Sequence, residues 1–375
     1  MGLAHRTVRT LALAMSCTAT VLAQTADWPQ FRYNQSHSGL NPFETVLTPE
    51  TVPQLTLKWV VNTGFIVSAS PAVVNGVVYV PSGSGFVYAL NATTGALVWR
   101  SPRIGAGSSS PAVVNGIVYV GTGVDRGFLY ALNASSGAVL WRRRTEAGVR
   151  TAPTVANGTV YVGTSNKVYA LNASDGAVVW ITETADTVET SPAVVDGKVF
   201  VASDFANFYC LDAATGAIEW TAKIGITDPI FSSPAVADGR VFVGSTDGFF
   251  YALDAATGSL LWSRFTPIQV HAAPAVAGGL VYVGTNDSGV WALDAVTGMR
   301  VWRTPTGFIS SSPAVANGVL YVGSDWNILV LDAGSGKFLK GFITGGPVIS
   351  SPAVSRGMMY VGSHDGRLRA YGLPD

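Results

Sequence analysis

Apolar and polar positions alternate in short runs along most of the chain, and these runs recur with one spacing. The run "SPAVVNGVVYV", residues 70–80, places β-branched residues on both sides of Asn75-Gly76. Such a dipeptide between alternating apolar residues is a strong signal for a β-hairpin with a two-residue turn. Five further copies carry Asn-Gly or Asp-Gly at the same place: Asn115-Gly116, Asn157-Gly158, Asp196-Gly197, Asp238-Gly239 and Asn317-Gly318. Each copy therefore predicts two short antiparallel strands.

A third apolar run and a fourth run that contains Trp follow each hairpin, and a repeated phrase joins them. The phrase reads "YALNATTGALVWR" at 88–100 and returns as "YALNASSGAVLWR" at 130–142. It generalises to Ala-x-Asn/Asp-x-x-Thr/Ser-Gly-x-x-x-Trp. The Asn or Asp side chain is expected to bond backbone amides of a tight turn, and the Gly to supply its positive φ. Each copy thus predicts four short strands.

Eight prolines mark the copies at intervals near forty residues: Pro71, Pro111, Pro153, Pro192, Pro234, Pro274, Pro313 and Pro352. Four-stranded antiparallel units at this period are typical of a β-propeller of WD40-like architecture. A solenoid is the competing architecture, but its end units should be capped and atypical. Here the ends complete each other, because residues 351–371 lack a Trp strand and residues 57–61, "LKWVV", supply one. The sequence predicts an all-β, eight-bladed propeller that its N-terminal strand closes.

One Trp on the outermost strand of nearly every predicted blade is expected to bury its face against the next blade. Its indole N–H then needs an acceptor. The predicted docking residues are Trp59, Trp99, Trp141, Trp180, Trp220, Trp262 and Trp302. In the seventh copy Lys340 stands where Trp is expected. The repeated phrase therefore builds the frame, and function has to be sought where the copies differ.

Composition excludes some function classes. Lys+Arg and Asp+Glu number 23 each, and charged residues are only 12% of the chain, so the sequence lacks the basic excess of nucleic-acid-binding domains. After the first thirty residues no apolar run is long enough to span a bilayer. The mature chain is therefore expected to be a soluble monomer that binds no nucleic acid and has no transmembrane span.

The N-terminal residues are typical of an export signal. Basic residues occur among the first nine positions, an apolar stretch covers 11–22, and Ala23 offers a small residue for cleavage. Cys17 leaves a lipid anchor open as a less favoured alternative, because the chain stays apolar after it. The protein is expected to be exported, either periplasmic or extracellular. The predicted segments are a signal peptide (1–23), a leader (24–56) and the propeller (57–375).

The repeated phrase resembles the tryptophan-docking motif of the eight-bladed quinoprotein (PQQ) propellers over nearly all of residues 57–371. The segment "DWPQFRYNQSHSGLNP", 27–42, is similar to the leader of secreted bacterial PQQ-repeat proteins. Two functional groups share this fold. One comprises the quinone-dependent alcohol and sugar dehydrogenases, and the other is non-enzymatic and includes the BamB subunit of outer-membrane assembly.

Resemblance to the dehydrogenases implies a vicinal disulfide, a Ca²⁺ site and a catalytic base. The chain has no Cys-Cys pair, and its units vary by only a few residues, which leaves no long loop to cover a cofactor. Cys210 replaces an Ala of the repeated phrase and is expected to be a buried filler. No catalytic residue, cofactor or metal is therefore expected, and PQQ with calcium belongs only to the alternative of an oxidoreductase.

One repeat position, three residues before each Pro, varies in chemistry. Four consecutive copies carry Arg150, Glu189, Phe231 and His271, whereas the others carry Ser68, Ser108, Ser310 and Ile349. Repeat geometry places this position at the start of each innermost strand, around the channel. Arg150 and Glu189 could simply pair and neutralise two crowded charges, with His271 neutral and hydrogen-bonded. Alternatively, the four residues could form a one-sided recognition patch. Apolar residues expected in the same connecting loops would enlarge such a patch: Phe65, Ile226, Phe308 and Phe342.

These observations predict an exported, non-catalytic β-propeller that acts as a scaffold in the bacterial cell envelope and binds a protein or peptide. Two alternatives remain open. One is a PQQ-dependent oxidoreductase, and the other is a BamB-like outer-membrane assembly subunit.

Overall fold

Eight antiparallel sheets follow one another around a ring in the computed structural model, which describes residues 26–105, 109–123, 127–225, 229–266, 269–286 and 289–374. The N-terminal part supplies β1 (Leu40–Asn41), a 3₁₀ helix (Val52–Gln54) and β2 (Thr56–Asn62). The predicted signal peptide and Cys17 lie outside the described residues. Within those residues, no helix has the length and apolar character needed to cross a membrane.

The first four blades each contain four consecutive strands, ordered from the channel outwards. Their bounds are β3 (Ala72–Val74), β4 (Val77–Pro81), β5 (Val87–Asn91) and β6 (Leu97–Arg100) in blade 1; β7 (Ala112–Val114), β8 (Ile117–Gly121), β9 (Phe128–Asn133) and β10 (Val139–Arg144) in blade 2; β11 (Thr154–Ala156), β12 (Thr159–Thr164), β13 (Lys167–Asn172) and β14 (Val178–Glu183) in blade 3; β15 (Ala193–Val195), β16 (Lys198–Ala202), β17 (Asn207–Asp212) and β18 (Ile218–Lys223) in blade 4.

Blades 5 to 7 repeat the arrangement, and blade 8 combines both ends of the chain. The bounds are β19 (Ala235–Ala237), β20 (Arg240–Gly244), β21 (Phe249–Asp254) and β22 (Leu260–Phe265) in blade 5; β23 (Ala275–Ala277), β24 (Leu280–Thr285), β25 (Gly289–Asp294) and β26 (Arg300–Thr304) in blade 6; and β27 (Ala314–Ala316), β28 (Val319–Ser324), β29 (Asn327–Asp332) and β30 (Phe338–Ile343) in blade 7. Blade 8 contains β31 (Ala353–Ser355), β32 (Met358–Gly362) and β33 (Arg367–Gly372), together with β2. Each innermost strand begins directly after the repeated Pro, which has no N–H to give to a sheet.

The predicted closure of the ring is confirmed. Strand β2 pairs antiparallel with β33 from Thr56 opposite Gly372 to Asn62 opposite Arg367, so the N-terminal strand completes blade 8. Strand β1 adds a short parallel pair to the channel side of β27 in blade 7. The N-terminal and C-terminal strands are thereby paired within the sheets, and blade 8 has its full set of four strands.

The seven predicted docking tryptophans contact the next blade in one common geometry. Each indole Nε1–H donates to the carbonyl oxygen of an Ala in the third turn of the following blade, at 2.8–3.3 Å. Each ring also lies over the turn Gly of that blade. An added Cβ at Gly216, for example, would come within 2.6 Å of the Trp180 ring. These seven contacts join neighbouring blades.

The missing eighth Trp has a structural reason. The blade after Lys340 is blade 8, in which β33 and β2 come from opposite ends of the chain, so no hairpin turn joins them. A Trp in blade 7 would have no turn to contact. Instead Lys340 Nζ donates to the Pro53 carbonyl at 3.0 Å, and the 3₁₀ helix packs beside β30. Tyr321 Oη, buried in the same blade, has no partner among the described residues.

A belt of serines lines the channel wall, and sequence reasoning did not find it. The Ser before the repeated Pro accepts a hydrogen bond from the backbone N–H at the equivalent position of the preceding blade; Ser70 N–H, for example, donates to Ser110 Oγ at 2.9 Å. Six such bonds link neighbouring blades. Ala152 and Ala273 replace Ser in blades 3 and 6, so no side-chain acceptor exists there. The belt therefore joins neighbouring blades at their inner strands.

Candidate functional site

Residues 26–44, which we call the plug segment, encircle one end of the channel and bond to the innermost strand of every blade. They belong to the predicted leader. In each blade the contacted residue is the Val two places after the repeated Pro. The contacts, at 2.7–3.1 Å, are Trp28 with Val73, Pro29 with Val113, Gln30 with Val155, Gln35 with Val194, Ser36 with Val236, Ser38 with Val276, Gly39 with Val315 and Asn41 with Val354.

Two basic side chains of the plug segment, Arg32 and His37, are fully buried inside this end. The Arg32 guanidinium donates to the carbonyl oxygens of Pro274 and Pro313, which lie in adjacent blades. His37 contacts the Pro234 carbonyl through Nδ1 at 3.2 Å and Thr154 Oγ1 through Nε2 at 3.0 Å. Burial lowers the pKa of Arg32 to about 9, and burial together with the nearby Arg32 lowers the pKa of His37 to about 3. The plug segment therefore closes this end of the channel and does not cover the opposite face.

The four variable residues lie on that opposite face, but not in the innermost strands as predicted. Arg150 precedes β11 by four residues, because the strand begins only after Pro153. Each of these residues thus belongs to the segment that connects one blade to the next. Arg150 Nη1 and Glu189 Oε1 are 3.8 Å apart, with 65% and 33% of their side chains exposed. This pair joins blades 3 and 4 at the channel mouth.

Phe231 and His271 form a second pair, between blades 5 and 6. Their rings meet edge to face with centroids 5.3 Å apart, and Phe231 is 39% exposed. Burial lowers the pKa of His271, so the imidazole is neutral at neutral pH. Its Nε2 has no hydrogen-bond partner among the described residues. The structure therefore brings the four predicted residues together as two pairs.

At the other variable positions of the ring, Ser68 has a hydrogen-bond partner nearby and Ile349 is apolar. Ser68 Oγ lies 2.9 Å from His364 Nε2, and Ile349 is 39% exposed. Ser108 lies outside the described residues. His364 belongs to the second hairpin of blade 8, and its contact with Ser68 could not be predicted from the repeat, because no other copy carries His there.

An open pocket of about 460 Å³ adjoins the first pair and is lined by Arg150, Glu189 and Glu146. Acidic side chains dominate this side of the face. Burial, with the neighbouring Glu189 and Asp186 carboxylates, raises the pKa of Asp204. The exposed guanidinium of Arg150 faces Glu189, and Lys167 pairs with Glu146. The pocket is suited to a polar or cationic group of a ligand.

The predicted apolar surface is only partly as expected. Phe65 and Phe308 are exposed in connecting segments of this face, by 56% and 45%. Phe342 was predicted wrongly: it lies in β30 and packs against Tyr371, with ring centroids 4.1 Å apart, because the short connection after the strand begins beyond it. Ile226 lies outside the described residues. Trp326, 55% exposed in the second hairpin of blade 7, was missed because it stands outside the repeated phrase.

At the channel mouth the charge of Arg150 faces Glu189. Among the described residues no cluster of three His, Cys, Asp or Glu side chains could hold a metal ion. Cys210 is buried inside blade 4, where burial raises its thiol pKa to about 12, so it is a filler as predicted.

Eight four-stranded blades joined by Trp contacts define the class of quinoprotein-type β-propellers. The sequence profile described as "Outer membrane protein assembly factor BamB" matches residues 54–127, 84–187, 164–306, 226–339 and 298–373. These overlapping matches cover the whole ring, and the chain therefore belongs to the BamB family. A sequence comparison with curated proteins finds no significant match.

Solved structures of unlike function share this fold. BamB from Moraxella catarrhalis is 20% identical, with a TM-score of 0.73, and the match covers 85% of this chain and 99% of that one. Quinohemoprotein alcohol dehydrogenase from Comamonas testosteroni is 17% identical, with a TM-score of 0.79 and coverage of 93% and 80%. A computationally designed protein, Ika8, is also 17% identical, with a TM-score of 0.73 and coverage of 83% and 97%. At these identities the likeness concerns the fold alone.

Proposed function

We propose that this protein is a non-catalytic scaffold of the bacterial cell envelope that binds a protein or peptide at the open mouth of its channel. One observation carries the proposal. The chain's own plug segment closes one end, while the other end presents Arg150, Glu189, Phe231 and His271 from four consecutive blades. A ligand at the mouth can touch several blades at once, which favours selective binding.

The chemistry of this mouth favours a peptide over a small metabolite. Phe231 and Phe308 expose large apolar areas, and the Arg150–Glu189 pair offers one charge of each sign beside an open pocket. Exposed aromatic surface with a few polar groups is typical of protein-binding faces. The pairs would therefore anchor a segment of a partner that carries both apolar and charged side chains.

The test uses the double variant Arg150→Ala/Phe231→Ala, which removes one member of each pair. The immobilised chain from residue 24 is incubated with an envelope extract, and the captured partner is quantified. The variant is expected to fold as the wild type does and to lose capture. Ser310→Ala/Ile349→Ala, at the same repeat position across the ring, is the matched control and is expected to keep capture. Equal capture by both variants and the wild type would refute the proposal.

Membership of the BamB family favours a finer alternative, a subunit of outer-membrane protein assembly. In that case the captured partner is itself a component of that assembly, which mass spectrometry of the bound fraction identifies. The oxidoreductase alternative has its own assay. PQQ and Ca²⁺ are added with an alcohol or sugar and a dye acceptor, and dye reduction that depends on the quinone would favour that alternative over the scaffold.

Export, with a final location in the periplasm or outside the cell, is part of the same proposal and rests on the predicted signal peptide, residues 1–23. Cell fractionation with an antibody to the propeller tests it. Recovery of the full-length chain, with its first residues retained, in the cytoplasmic fraction would contradict export.

A further inference from the structure

The charges of this neutral chain are separated along the ring. Residues 51–145, which build blades 1 and 2 and part of blade 8, contain one of the 23 acidic residues, Asp125. The same stretch contains seven basic ones: Lys58, Arg100, Arg103, Arg126, Arg142, Arg143 and Arg144. Residues 146–223 contain nine acidic and four basic residues. One sector of the ring is therefore basic and its neighbour is acidic.

Strand β10 is the centre of the basic sector. It is the outermost strand of blade 2, so one of its backbone edges has no partner strand in the described structure. Arg142 and Arg144 are exposed on it, and neither forms an ion pair with a described residue. Glu146, which follows them, is engaged by Lys167 at 2.7 Å. In the described part of the chain, two cations thus lie beside an open strand edge without an acidic partner.

The geometry of β10 prepares these cations for binding. The Arg142 guanidinium lies over the Phe128 ring, 5.4 Å from its centroid, which restricts the side chain before any ligand arrives. Arg143 is held by a bond from its Nε to the Gly176 carbonyl at 2.7 Å. Val139 and Leu140 are 40% and 49% exposed on the same strand. The edge therefore combines free backbone groups, apolar side chains and fixed positive charge.

The corresponding strand of the next blade, β14, has the open edge and the exposed apolar pair but not the two cations. Strand β14 has the same length, exposes Val178 and Val179, and also ends its sheet. By sheet register, Ile181 and Glu183 stand where β10 has Arg142 and Arg144. The open edge and apolar pair are common to the repeat, whereas the paired cations distinguish β10.

We propose that the edge of β10 is a docking surface for an extended, acidic segment of a partner protein, which adds to blade 2 as a fifth strand. Backbone groups of such a segment pair with the free edge, its apolar side chains cover Val139 and Leu140, and its carboxylates meet Arg142 and Arg144. This site lies on the perimeter, apart from the channel mouth, and does not depend on the proposed function. Basic residues on edge strands also prevent aggregation, and the experiment separates the two roles.

The probe is a fluorescein-labelled synthetic peptide of alternating glutamate and valine, and binding is followed by anisotropy at low salt. The wild-type chain is expected to bind it, and Arg142→Gln/Arg144→Gln to bind about tenfold more weakly, as expected for the loss of two exposed charge pairs. A peptide with lysine in place of glutamate is expected not to bind. A glutamate peptide methylated on alternate backbone nitrogens tests strand pairing in the wild type itself, and equal binding of this peptide would overturn the proposal.

Two further variants complete the test. Ile181→Arg/Glu183→Arg transfers the cations to β14 and is expected to add a second binding site for the peptide. Arg303→Gln on β26, whose guanidinium also lies over an aromatic ring, is the matched control and is expected to leave binding unchanged. Unchanged peptide binding by Arg142→Gln/Arg144→Gln would overturn the proposal. So would sedimentation with phosphatidylglycerol vesicles that needs these arginines while the peptide fails to bind, because the surface would then recognise lipid.

Discussion

At the scale of single residues, one Trp, one Gly and one carbonyl oxygen join each pair of neighbouring blades. Trp180 is buried, donates to the Ala213 carbonyl at 3.0 Å, and lies over Gly216, whose φ is +75°. The Gly is required twice, because its backbone is left-handed and because a side chain would enter the space of the ring. The repetition of this unit explains why the phrase varies so little between copies.

Trp180→Ala tests the strength of this unit. The change removes a buried indole and its hydrogen bond, and we expect the free energy of unfolding to fall by roughly 3–5 kcal/mol, as for other large aromatic truncations in cores. Chemical denaturation of the purified chain measures the loss. A decrease below about 1 kcal/mol, the usual size of a surface effect, would contradict the docking role. Val179→Ala, an exposed neighbour on the same strand, is the control.

His37 gives the protein a predictable dependence on pH. Its folded pKa of about 3 lies below the usual value of 6.5, so the unfolded chain takes up a proton at higher pH than the folded chain does. The stability contributed by neutral His37 is therefore complete above about pH 6.5 and is lost as the pH falls towards 3. Between pH 7 and pH 5 this single group accounts for about 2 kcal/mol.

The measurement compares urea unfolding of the wild type and His37→Gln at these two pH values. The glutamine variant is expected to show a smaller decrease on acidification, by about 2 kcal/mol. His271, whose pKa is also lowered by burial, is present in both proteins, so its contribution cancels in the comparison. Parallel pH profiles for the two proteins would mean that His37 is not buried in the channel.

At the scale of strands, a Tyr on the second strand of four blades also supports docking, so the blades are not equal. Tyr79, Tyr119, Tyr161 and Tyr360 donate their hydroxyl to the same Ala carbonyl that accepts the Trp N–H. Blades 4 and 5 carry Phe200 and Phe242 at this position, so their carbonyl receives only the Trp N–H, at 3.3 and 3.2 Å. The contacts of blades 4 and 5 with the blades that follow them therefore have one hydrogen bond fewer.

Phe200→Tyr should restore the missing hydrogen bond. A pocket of about 420 Å³ between blades 4 and 5 is lined by Phe200 and Ala255, so an added hydroxyl has room to reach the Ala255 carbonyl. We expect the variant to be more stable by roughly 0.5–1.5 kcal/mol, the usual net value of one hydrogen bond. Thermal unfolding measures it, with Tyr161→Phe as the reverse change in blade 3. A lower melting temperature for Phe200→Tyr would show that the pocket does not accept the group.

At the scale of the whole molecule, two devices hold the ring together. Strand β2 closes blade 8 from outside, and the plug segment bonds to all eight inner strands from within the channel. The first device couples only the first and last blades, whereas the second couples every blade to a single stretch of chain.

Removal of residues 26–44 separates these devices, because it leaves β2 in place. Nine hydrogen bonds to the inner strands, at roughly 1 kcal/mol each, are lost, and we expect a folded ring whose melting temperature is lower by roughly 10 °C or more. Removal up to residue 62 also deletes β2 and exposes the edge of β33, so aggregation is expected instead. Circular dichroism and size-exclusion chromatography distinguish the outcomes. An unchanged melting curve after the shorter deletion would contradict the coupling of the blades by the plug segment.

Much of this molecule could be predicted from its sequence because its information is local and repeated. Strand pairs separated by Asn-Gly, the turn Gly and the docking Trp lie within forty residues of one another, and eight copies reinforce each reading. The closure by residues 57–61 followed from counting strands. The position of the variable ring was shifted by only a few residues, since Pro delays the start of each inner strand.

The tertiary structure alone decided the contacts that the repeat does not encode. Arg32 meets a carbonyl 281 residues away, and the plug segment has no second copy from which its path could be inferred. The pairing of Phe231 with His271, the substitute contact of Lys340, and the lack of an acidic partner for Arg142 among the described residues all depend on which blades become neighbours. A periodic sequence determines each blade and its closure, but side chains from different blades meet only when the ring is assembled, and charge, burial and access are properties of that assembly.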